Sequence, residues 1–426
     1  MLNRINSPEY KEITGIHLIH PKEYAYGNGL KAFVFASEDH SLIKAEFIFA
    51  NVFESPENPL LNTALSSLIK EGTTRLTSAE IAEQVDFYGA FLVPEYSYDH
   101  TAITVYTLKK YAHKIFPIVK DILMDAIIPE KELQTYIRNN KQTLQVSLEK
   151  NDFVARKQFY KSVFGNTLYG ITPTKEGLDA LTRADLLALY QKQIRPSNCT
   201  LILAGAVDQQ TLGLIENLFV SDWHSPENQI QLKAPVFEPA VADFIFEERK
   251  DSVQSAIRMG YQLINRTDPN YASVQFVNTL FGGFFGSRLM KNIREEKGYT
   301  YSIGSAVASL KYSGFFTIAT EVGVDVTSAT LSEIEKEFSL LRTEIPTEEE
   351  VQLVRNYLLG TMLGSLESIF SHADKFKAVY FSGMDLSYYQ RYTESIQAMT
   401  PAKVKEIAGQ YFDYQQLTKV VVGKLD

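Results

Sequence analysis

Cysteine is almost absent from this sequence, which has Cys199 as the single thiol in 426 residues. One thiol excludes an intramolecular disulfide and any zinc or iron–sulfur site built from several thiolates. Cys199 begins the apolar run CTLILAG, with no base close to it in the sequence. We therefore predict a small buried hydrophobic residue rather than a nucleophile.

Long apolar runs and a basic stripe are also missing. No window approaches the roughly 18 apolar residues of a membrane-spanning helix, and the N-terminal segment MLNRINSPEYKEITG lacks the apolar centre of a signal peptide. Acidic and basic residues are interleaved, with a net charge of -9, so no patch is suited to neutralising phosphates. The sequence predicts a soluble, cytoplasmic protein without a nucleic-acid or membrane partner.

Several common catalytic motifs are absent. The chain has no GxxxxGK[ST], HExxH or GxSxG, and its glycine-rich run LFGGFFGSR follows a helical pattern, unlike a phosphate-binding loop. Only His17 and His20 lie close together among seven histidines. On a strand, residues three apart point to opposite faces, so we predict structural or surface roles for both.

What the sequence does contain is an internal duplication. Three sets of anchors recur in the same order with a slowly growing offset, as expected for a duplicated domain with a small insertion. The segment from Asn58-Pro59 to Gly72 matches the segment from Asp268-Pro269 to Gly282 at an offset of 210 residues. Ile128-Pro129 and Arg138-Asn139 match Ile345-Pro346 and Arg355-Asn356 at an offset of 217. Thr182, Gly205 and Asp208 match Thr400, Gly423 and Asp426 at an offset of 218.

Each half mixes alternating strands, such as LKAFVFAS and TAITVYTL, with amphipathic helices. One such helix is LTSAEIAEQVDFYG, with Thr77 and Glu80 in capping-box spacing and Gly89 as its stop. This order predicts an α+β fold with two tandem domains, each a mixed or antiparallel sheet covered by helices. We place the domains at residues 1–225 and 240–426. The proline-containing segment 226–239 is the predicted linker.

The helix around NTALSSLIKEGT buries an apolar stripe, and Thr63, Ser66, Ser67 and Lys70 are predicted to share its other side. Together with the duplication, this segment resembles the HxxEH region of the pitrilysin/insulinase family of zinc metallopeptidases, the inverzincins. The matching lysine and glycine are Lys70 and Gly72.

The resemblance places the two zinc histidines of the family at Thr63 and Ser67 and its catalytic glutamate at Ser66. The third ligand of the family, a glutamate roughly 75 to 80 residues further on, falls on Leu144 or Gln145. Glu149 comes about one helical turn too late. The offset of 210 gives Ser273, Phe276 and Val277 in the second half, and no histidine occurs between His40 and His100. These vacated metal positions predict no catalytic zinc in this chain.

A second segment, GGFFGSRLMKNIREEKGYTYSIGS, resembles the C-terminal part of the family, in which an arginine is followed seven residues later by a tyrosine. The resemblance implies that Arg294 and Tyr301 contact the substrate near the scissile bond, beside the glycine segment of Gly282, Gly283 and Gly286. A simpler alternative is a helix-end arginine paired with a local carboxylate and a tyrosine packed on the sheet.

Three hypotheses follow from the resemblance. In the first, the chain is a non-catalytic, substrate-binding subunit of a heterodimeric zinc peptidase. A partner subunit with an HxxEH motif holds the zinc, and the complex degrades or processes peptides in a clamshell-shaped chamber. The second is a catalytically inactive peptide-binding or assembly protein, homodimeric in one version. The third is an active zinc peptidase with unusual ligands. Enzyme activity of this chain alone is left open, and its cofactor set is expected to be empty.

Overall fold

The computed structural model describes residues 15–53, 59–224, 230, 234–238 and 242–426. Its strands form two sheets, one of six strands in the first half of the chain and one of five in the second. The strands are β1 Lys22–Ala25, β2 Lys31–Ala36, β3 Leu42–Ala50, β4 Phe91–Tyr96, β5 His100–Leu108, β6 Cys199–Gly205, β7 Phe244–Glu248, β8 Gln254–Leu263, β9 Thr300–Ser309, β10 Gly314–Gly323 and β11 Thr418–Gly423.

Helices cover both sheets. They are α1 Leu61–Leu68, α2 Ser78–Phe87, α3 Ala112–Asp125, α4 Glu130–Leu148, α5 Asn151–Phe164, α6 Lys175–Asp179, α7 Arg183–Gln193, α8 Gln209–Phe219, α9 Tyr271–Asn278, α10 Thr327–Thr343, α11 Glu348–Gly364, α12 Ile369–Tyr380, α13 Ser387–Gln397 and α14 Pro401–Tyr411. Local sequence explains their starts where a threonine caps the first turn, as Thr77 does for α2 in a complete capping box with Glu80.

The predicted α+β class with a duplicated domain is confirmed by the element order. The strands of the first sheet follow the order β1-β2-β6-β3-β5-β4, and those of the second follow β7-β11-β8-β10-β9. Helix α9 repeats α1 at an offset of 210 residues, and α14 repeats α7 at an offset of 218. Threonines cap the first turns of both α7 and α14. Asn58, one of the anchors, lies outside the described residues.

Both sheets are mixed, as predicted. β2 pairs with β6 in parallel and β7 pairs with β11 in parallel, whereas the other neighbours are antiparallel. Cys199 starts β6 and is buried, so the prediction of a small core residue is confirmed, and burial raises the pKa of its thiol. The domain boundaries at 225/226 and 239/240 stay a prediction, since several linker positions lie outside the described ranges.

One helix of each half packs on the sheet of the other half. Helix α5, from the first half, contacts β8 and β11, and its counterpart α12 contacts β2 and β6. The α12 contact forms a hydrophobic cluster in which Phe33 and Phe35 on β2 pack against Phe376 on α12. The two halves are therefore joined by a reciprocal exchange of helices rather than by the linker alone.

Buried charges accompany this exchange. Lys44 and Glu46 on β3 are nearly inaccessible to solvent, and their charged groups lie 3.0 Å apart. Helix α12 supplies a further partner for each: Asp374 lies 2.7 Å from Lys44, and Lys377 lies 2.6 Å from Glu46. Burial alone would lower the pKa of Lys44, but Glu46 and Asp374 outweigh it and raise the pKa overall. Each charge has an opposite charge within reach, as a buried ion cluster requires.

A cavity of about 570 Å³ opens beside this cluster, between the ends of β4 and β5 and helix α12. His100 stands in it with its ring 4.2 Å from that of Phe381. The hydroxyl of Tyr169 and the backbone N–H of Lys311 both donate to the Asp99 carboxylate there. The other ionisable groups on the cavity wall are Glu95, Tyr96, Arg266 and Lys377.

Acid is expected to destabilise the chain through His100, which lies beside the contact between α12 and the first sheet. Burial, then the cations Lys311 and Lys377, lower the pKa of His100 to about 4. An unfolded histidine has a pKa near 6.5, so the unfolded chain binds this proton first as the pH falls. The contribution of the neutral His100 to the free energy of unfolding is thus present above pH 6.5 and is lost as the pH falls towards 4. The loss between pH 7 and pH 5 is about 2 kcal/mol.

Urea unfolding at these two pH values tests the expectation. The variant His100→Gln should lose this part of the pH dependence while other carboxylates and histidines keep theirs. An equal drop in both proteins would contradict the assignment to His100.

Within the described residues, no helix combines the length and the apolar character needed to cross a membrane.

Candidate functional site

Helix α1 carries the first set of candidate residues. Its apolar side packs into the core through Ala64, Leu65 and Leu68. Thr63 is half-buried and Ser67 is exposed, but Ser66 is only 3 % exposed. The expectation that all three hydroxyls share the outer side is wrong for Ser66, because it lies about 100° around the helix from Ser67, towards the core.

Two tyrosines reach these hydroxyls. The Tyr96 hydroxyl at the end of β4 lies near the side chain of Thr63, and the Tyr136 hydroxyl on α4 lies near that of Ser67. The Ser67 hydroxyl itself donates to the Thr63 carbonyl oxygen at 3.2 Å. Burial raises the pKa of both phenols, and the neighbouring hydroxyls of Thr63 and Ser67 only partly offset this rise. Both tyrosines therefore stay neutral at physiological pH, so the two histidine positions of the family motif are surrounded by uncharged O–H groups.

The positions predicted for the third ligand do not face these hydroxyls. Leu144 is buried in the same hydrophobic cluster as α1, and Gln145 is exposed. Tyr136, which does reach Ser67, precedes Leu144 by eight residues, or about 12 Å along the helix. Glu149 follows the end of α4 and is exposed.

These residues do not fit a zinc ion. Zinc sites use imidazole, thiolate or carboxylate ligands, and threonine, serine and leucine supply none of them. Across the ranges described above, no three His, Cys, Asp or Glu side chains come close enough to share a metal ion. His17 and His20 are both exposed. That this chain holds no catalytic zinc stays a prediction, and it rests on the residue types.

The second set of candidates lies on two π-helical segments, Thr279–Gly283 after α9 and Met290–Glu296 before β9. Such segments are rare and occur often at functional sites. The first contains Gly282 and Gly283, Gly286 follows in the exposed turn, and the second contains Arg294.

Arg294 lies between two exposed aromatic rings. Its guanidinium carbon is 4.6 Å from the ring centre of Phe285 and 5.6 Å from that of Tyr301. Tyr301 is 88 % exposed and Phe285 is 62 % exposed. We call these three side chains the Arg–Tyr face. Stacking of this kind holds a guanidinium in place while leaving its N–H groups open to other acceptors.

The local alternative for these residues is therefore wrong. In the described part of the chain, Arg294 forms no ion pair, and neither its guanidinium nor the Tyr301 hydroxyl has a hydrogen bond. Tyr301 is the second residue of β9 and does not pack on the sheet. Both polar groups remain available to a ligand.

A polar network holds the second π-helical segment from below. Arg288 makes two hydrogen bonds to Glu350 on α11, at 2.6 and 2.9 Å. The buried Asn292 amide donates to Glu333 and Glu337 on α10. Burial raises the pKa of Glu337. These contacts fix the helix that carries Arg294, as preorganisation of a binding site requires.

Gly282 lies where this region packs against β9. A Cβ at Gly282 would lie 2.5 Å from Ser305 Oγ and 2.8 Å from Leu289 Cδ1. We expect Gly282→Ala to destabilise the chain by about 1–3 kcal/mol through overpacking, measured as a lower urea midpoint. Gly409→Ala, on α14 with open space around the added methyl, is the matched control and should be neutral or slightly stabilising. Equal midpoints for the two variants would show that position 282 does not need glycine for packing.

Phe285, Tyr96 and Tyr136 are the contact residues that sequence reasoning missed. Phe285 is within the quoted motif, and the position of an aromatic residue between glycines was the available signal in the sequence. Nothing in the sequence alone marks Tyr96 or Tyr136, because their contacts depend on how β4 and α4 pack against α1.

Comparisons with known proteins agree with this description. A family model described as "Peptidase M16 inactive domain" matches residues 180–358. An uncharacterised zinc protease of Rickettsia felis is 26% identical over 323 residues, covering 74% of this chain and 76% of its own. The Helicobacter pylori protein named "Non-peptidase homolog YmxG" is 24% identical over 382 residues, covering 87% and 86%.

Two solved structures have the same fold. The M16 inactive-domain protein from Pseudomonas fluorescens superposes with a TM-score of 0.85 at 19% identity, covering 96% of this chain and 99% of its own. A protease from Helicobacter pylori gives a TM-score of 0.86 at 17% identity, covering 96% and 100%. The resemblance to the pitrilysin/insulinase family, to which the M16 peptidases belong, is thereby confirmed.

Proposed function

We propose that this chain, an inactive member of the M16 peptidase family, is the non-catalytic, substrate-binding subunit of a heterodimeric zinc peptidase. In this proposal, a partner chain with an HxxEH motif supplies the zinc and the general base. This chain contributes the Arg–Tyr face to the peptide held between the two subunits.

The observation that carries the proposal is the contrast between the two candidate regions. At the vacated metal positions, the ligand types are gone and tyrosine hydroxyls lie near Thr63 and Ser67. On the Arg–Tyr face, the donors are kept, are exposed and have no partner among the described residues. An arginine whose N–H groups are open to other acceptors, on a helix fixed by the hydrogen bonds of Arg288 and Asn292, is suited to binding a ligand.

The chemistry of the face suits a peptide. A guanidinium and a phenol donate hydrogen bonds to a peptide carbonyl, and the same donors stabilise the negative charge that develops on that oxygen during hydrolysis. Phe285 and Tyr301 add apolar ring surface beside it. The residues of this chain thus bind and orient the peptide, and the attacking group would come from the partner.

Co-purification tests the assembly. Tagged chain, expressed together with an HxxEH-bearing M16 protein from the same genome, should elute as a one-to-one complex whose mass is the sum of the two chains. Each protein purified alone provides the reference mass. Isolation of this chain only as a monomer or self-associated species, with no HxxEH partner in cells or after mixing, would contradict the proposal.

A second candidate function is peptide binding without catalysis, by a homodimer. It is favoured by β4, which lies at the edge of the first sheet and exposes Phe91 and Val93 on one side. An extended peptide adds to such an edge through backbone hydrogen bonds. This function predicts self-association and a peptide affinity that Arg294→Ala leaves unchanged, which distinguishes it from the first.

A further inference from the structure

A second cavity of about 570 Å³ is lined by residues of the second half of the chain, and none of the three residues of the Arg–Tyr face lines it. Its walls come from helices α9, α11, α12 and α13 and from the loop before α9, which carries Arg266. Four tyrosines line it: Tyr271, Tyr388, Tyr389 and Tyr392. A volume of this size falls within the range of small-molecule sites in proteins.

Two cations stand in this cavity without a carboxylate of their own. The Arg266 guanidinium donates to the Ala378 carbonyl oxygen at 2.7 Å and to Ser309 Oγ at 3.3 Å. The Lys375 ammonium lies 5.9 Å from the Tyr389 ring centre. Neither side chain belongs to an ion pair within the described ranges.

The nearest acidic group is already occupied. Asp374 also lines the cavity, but its carboxylate pairs with Lys44 at 2.7 Å and lies 3.7 Å from Lys377. Lys44, Lys377, Glu46 and Asp374 balance each other in charge. Arg266 and Lys375 are therefore an excess of two positive charges, in a chain whose net charge is -9.

The electrostatic effect of this excess appears on the lysine. Burial, followed by repulsion from Arg266, lowers the pKa of Lys375, and the attraction of Asp374 does not reverse it. An anion between the two cations would remove that repulsion and would be held by charge-assisted hydrogen bonds.

The tyrosines supply neutral donors and apolar walls. Burial raises the pKa of Tyr388 and Tyr392, so both phenols keep their protons. Neither hydroxyl has a hydrogen-bond partner among the described residues. The rings of Tyr388 and Tyr392 are 6.0 Å apart, and the side chains of Leu358 and Met362 complete the apolar part of the wall.

We propose that this cavity binds a small organic oxyanion, with its carboxylate or phosphate group between Arg266 and Lys375 and its apolar or aromatic body against Tyr388 and Tyr392. This site is separate from the peptide-binding function proposed above. It does not depend on a partner chain.

Isothermal titration of the full-length chain with three probes tests the site. N-acetylphenylalanine carries a carboxylate and an aromatic body, phenyl phosphate carries the alternative anion, and N-acetylphenylalanine amide has the same body without charge. We expect saturable binding of at least one anionic probe and at least tenfold weaker binding of the amide. The tighter of the two anions identifies the group that the site prefers.

Lys375→Gln removes a charge that forms no ion pair within the described residues. Loss of a charge-assisted hydrogen bond should weaken anion binding about tenfold or more for Lys375→Gln. Lys114→Gln, an exposed lysine on α3, is the matched control and should bind as the parent does. Absence of saturable binding by both anions, or equal binding by the parent and Lys375→Gln with the fold intact by circular dichroism, would overturn the proposal.

Discussion

Arg294→Ala is expected to lower kcat/KM about 10- to 100-fold in the two-chain peptidase that we propose. A charge-assisted hydrogen bond contributes about 1.5–3 kcal/mol, and every 1.4 kcal/mol corresponds to a factor of about ten. Within the described residues, the guanidinium forms no ion pair and contacts the rings of Phe285 and Tyr301. The loss should therefore appear in peptide turnover and leave the folding stability of this chain nearly unchanged.

Three further variants define the role of the face. Arg294→Lys keeps the charge but not the planar fork, so we expect an intermediate loss. Tyr301→Phe removes only a hydroxyl and should cost less than Arg294→Ala. Lys291→Ala changes an exposed cation on the same π-helical segment and should leave activity unchanged. Full activity of both Arg294→Ala and Tyr301→Phe in the complex would exclude the Arg–Tyr face from substrate binding.

Glu46→Ala is expected to destabilise the chain by about 3–5 kcal/mol, the largest stability effect predicted for this protein. Glu46 is 1 % exposed and faces Lys44 at 3.0 Å and Lys377 at 2.6 Å. Its removal leaves the buried Lys44 with only the half-exposed Asp374. Urea unfolding followed by the fluorescence of Trp223, the single tryptophan, reports directly on the first half.

Two comparisons isolate the cause. Glu83→Ala, on the exposed side of α2, should change stability by no more than about 0.5 kcal/mol. The double variant Lys44→Met/Glu46→Leu replaces both buried charges by apolar groups and should recover much of the loss. If Glu46→Ala unfolds at the same urea concentration as Glu83→Ala, the charge cluster does not hold α12 on the first sheet.

Sequence reasoning reached the fold because the information was local and repeated. Caps at Thr77, Thr182 and Thr400 lie next to the helices they start, and the duplicated anchors return as matching helices in both halves. The exchange of α5 and α12 between the sheets was out of reach. Helix α12 is amphipathic and α5 is only weakly so, and the apolar residues of neither helix reveal which sheet it covers.

The candidate site was predictable where a motif gives residue types and unpredictable where packing decides. The predicted replacement of metal ligands at Thr63 and Ser67 rests on the residue types and on the register that the resemblance gives. The burial of Ser66 and the approach of Tyr136, rather than residue 144 or 145, to Ser67 depend on the packing of α1 and α4. A count along the chain has no access to that packing.

The most direct test of the central claim combines zinc analysis with a peptidase assay. The isolated chain, an isolated HxxEH-bearing partner and their one-to-one complex should each be measured against an unfolded peptide substrate. We predict no stoichiometric zinc and no peptide cleavage for this chain alone, and one zinc per heterodimer with cleavage restored in the complex. Stoichiometric zinc bound within residues 60–150 of this chain, together with cleavage by the isolated chain, would contradict the account.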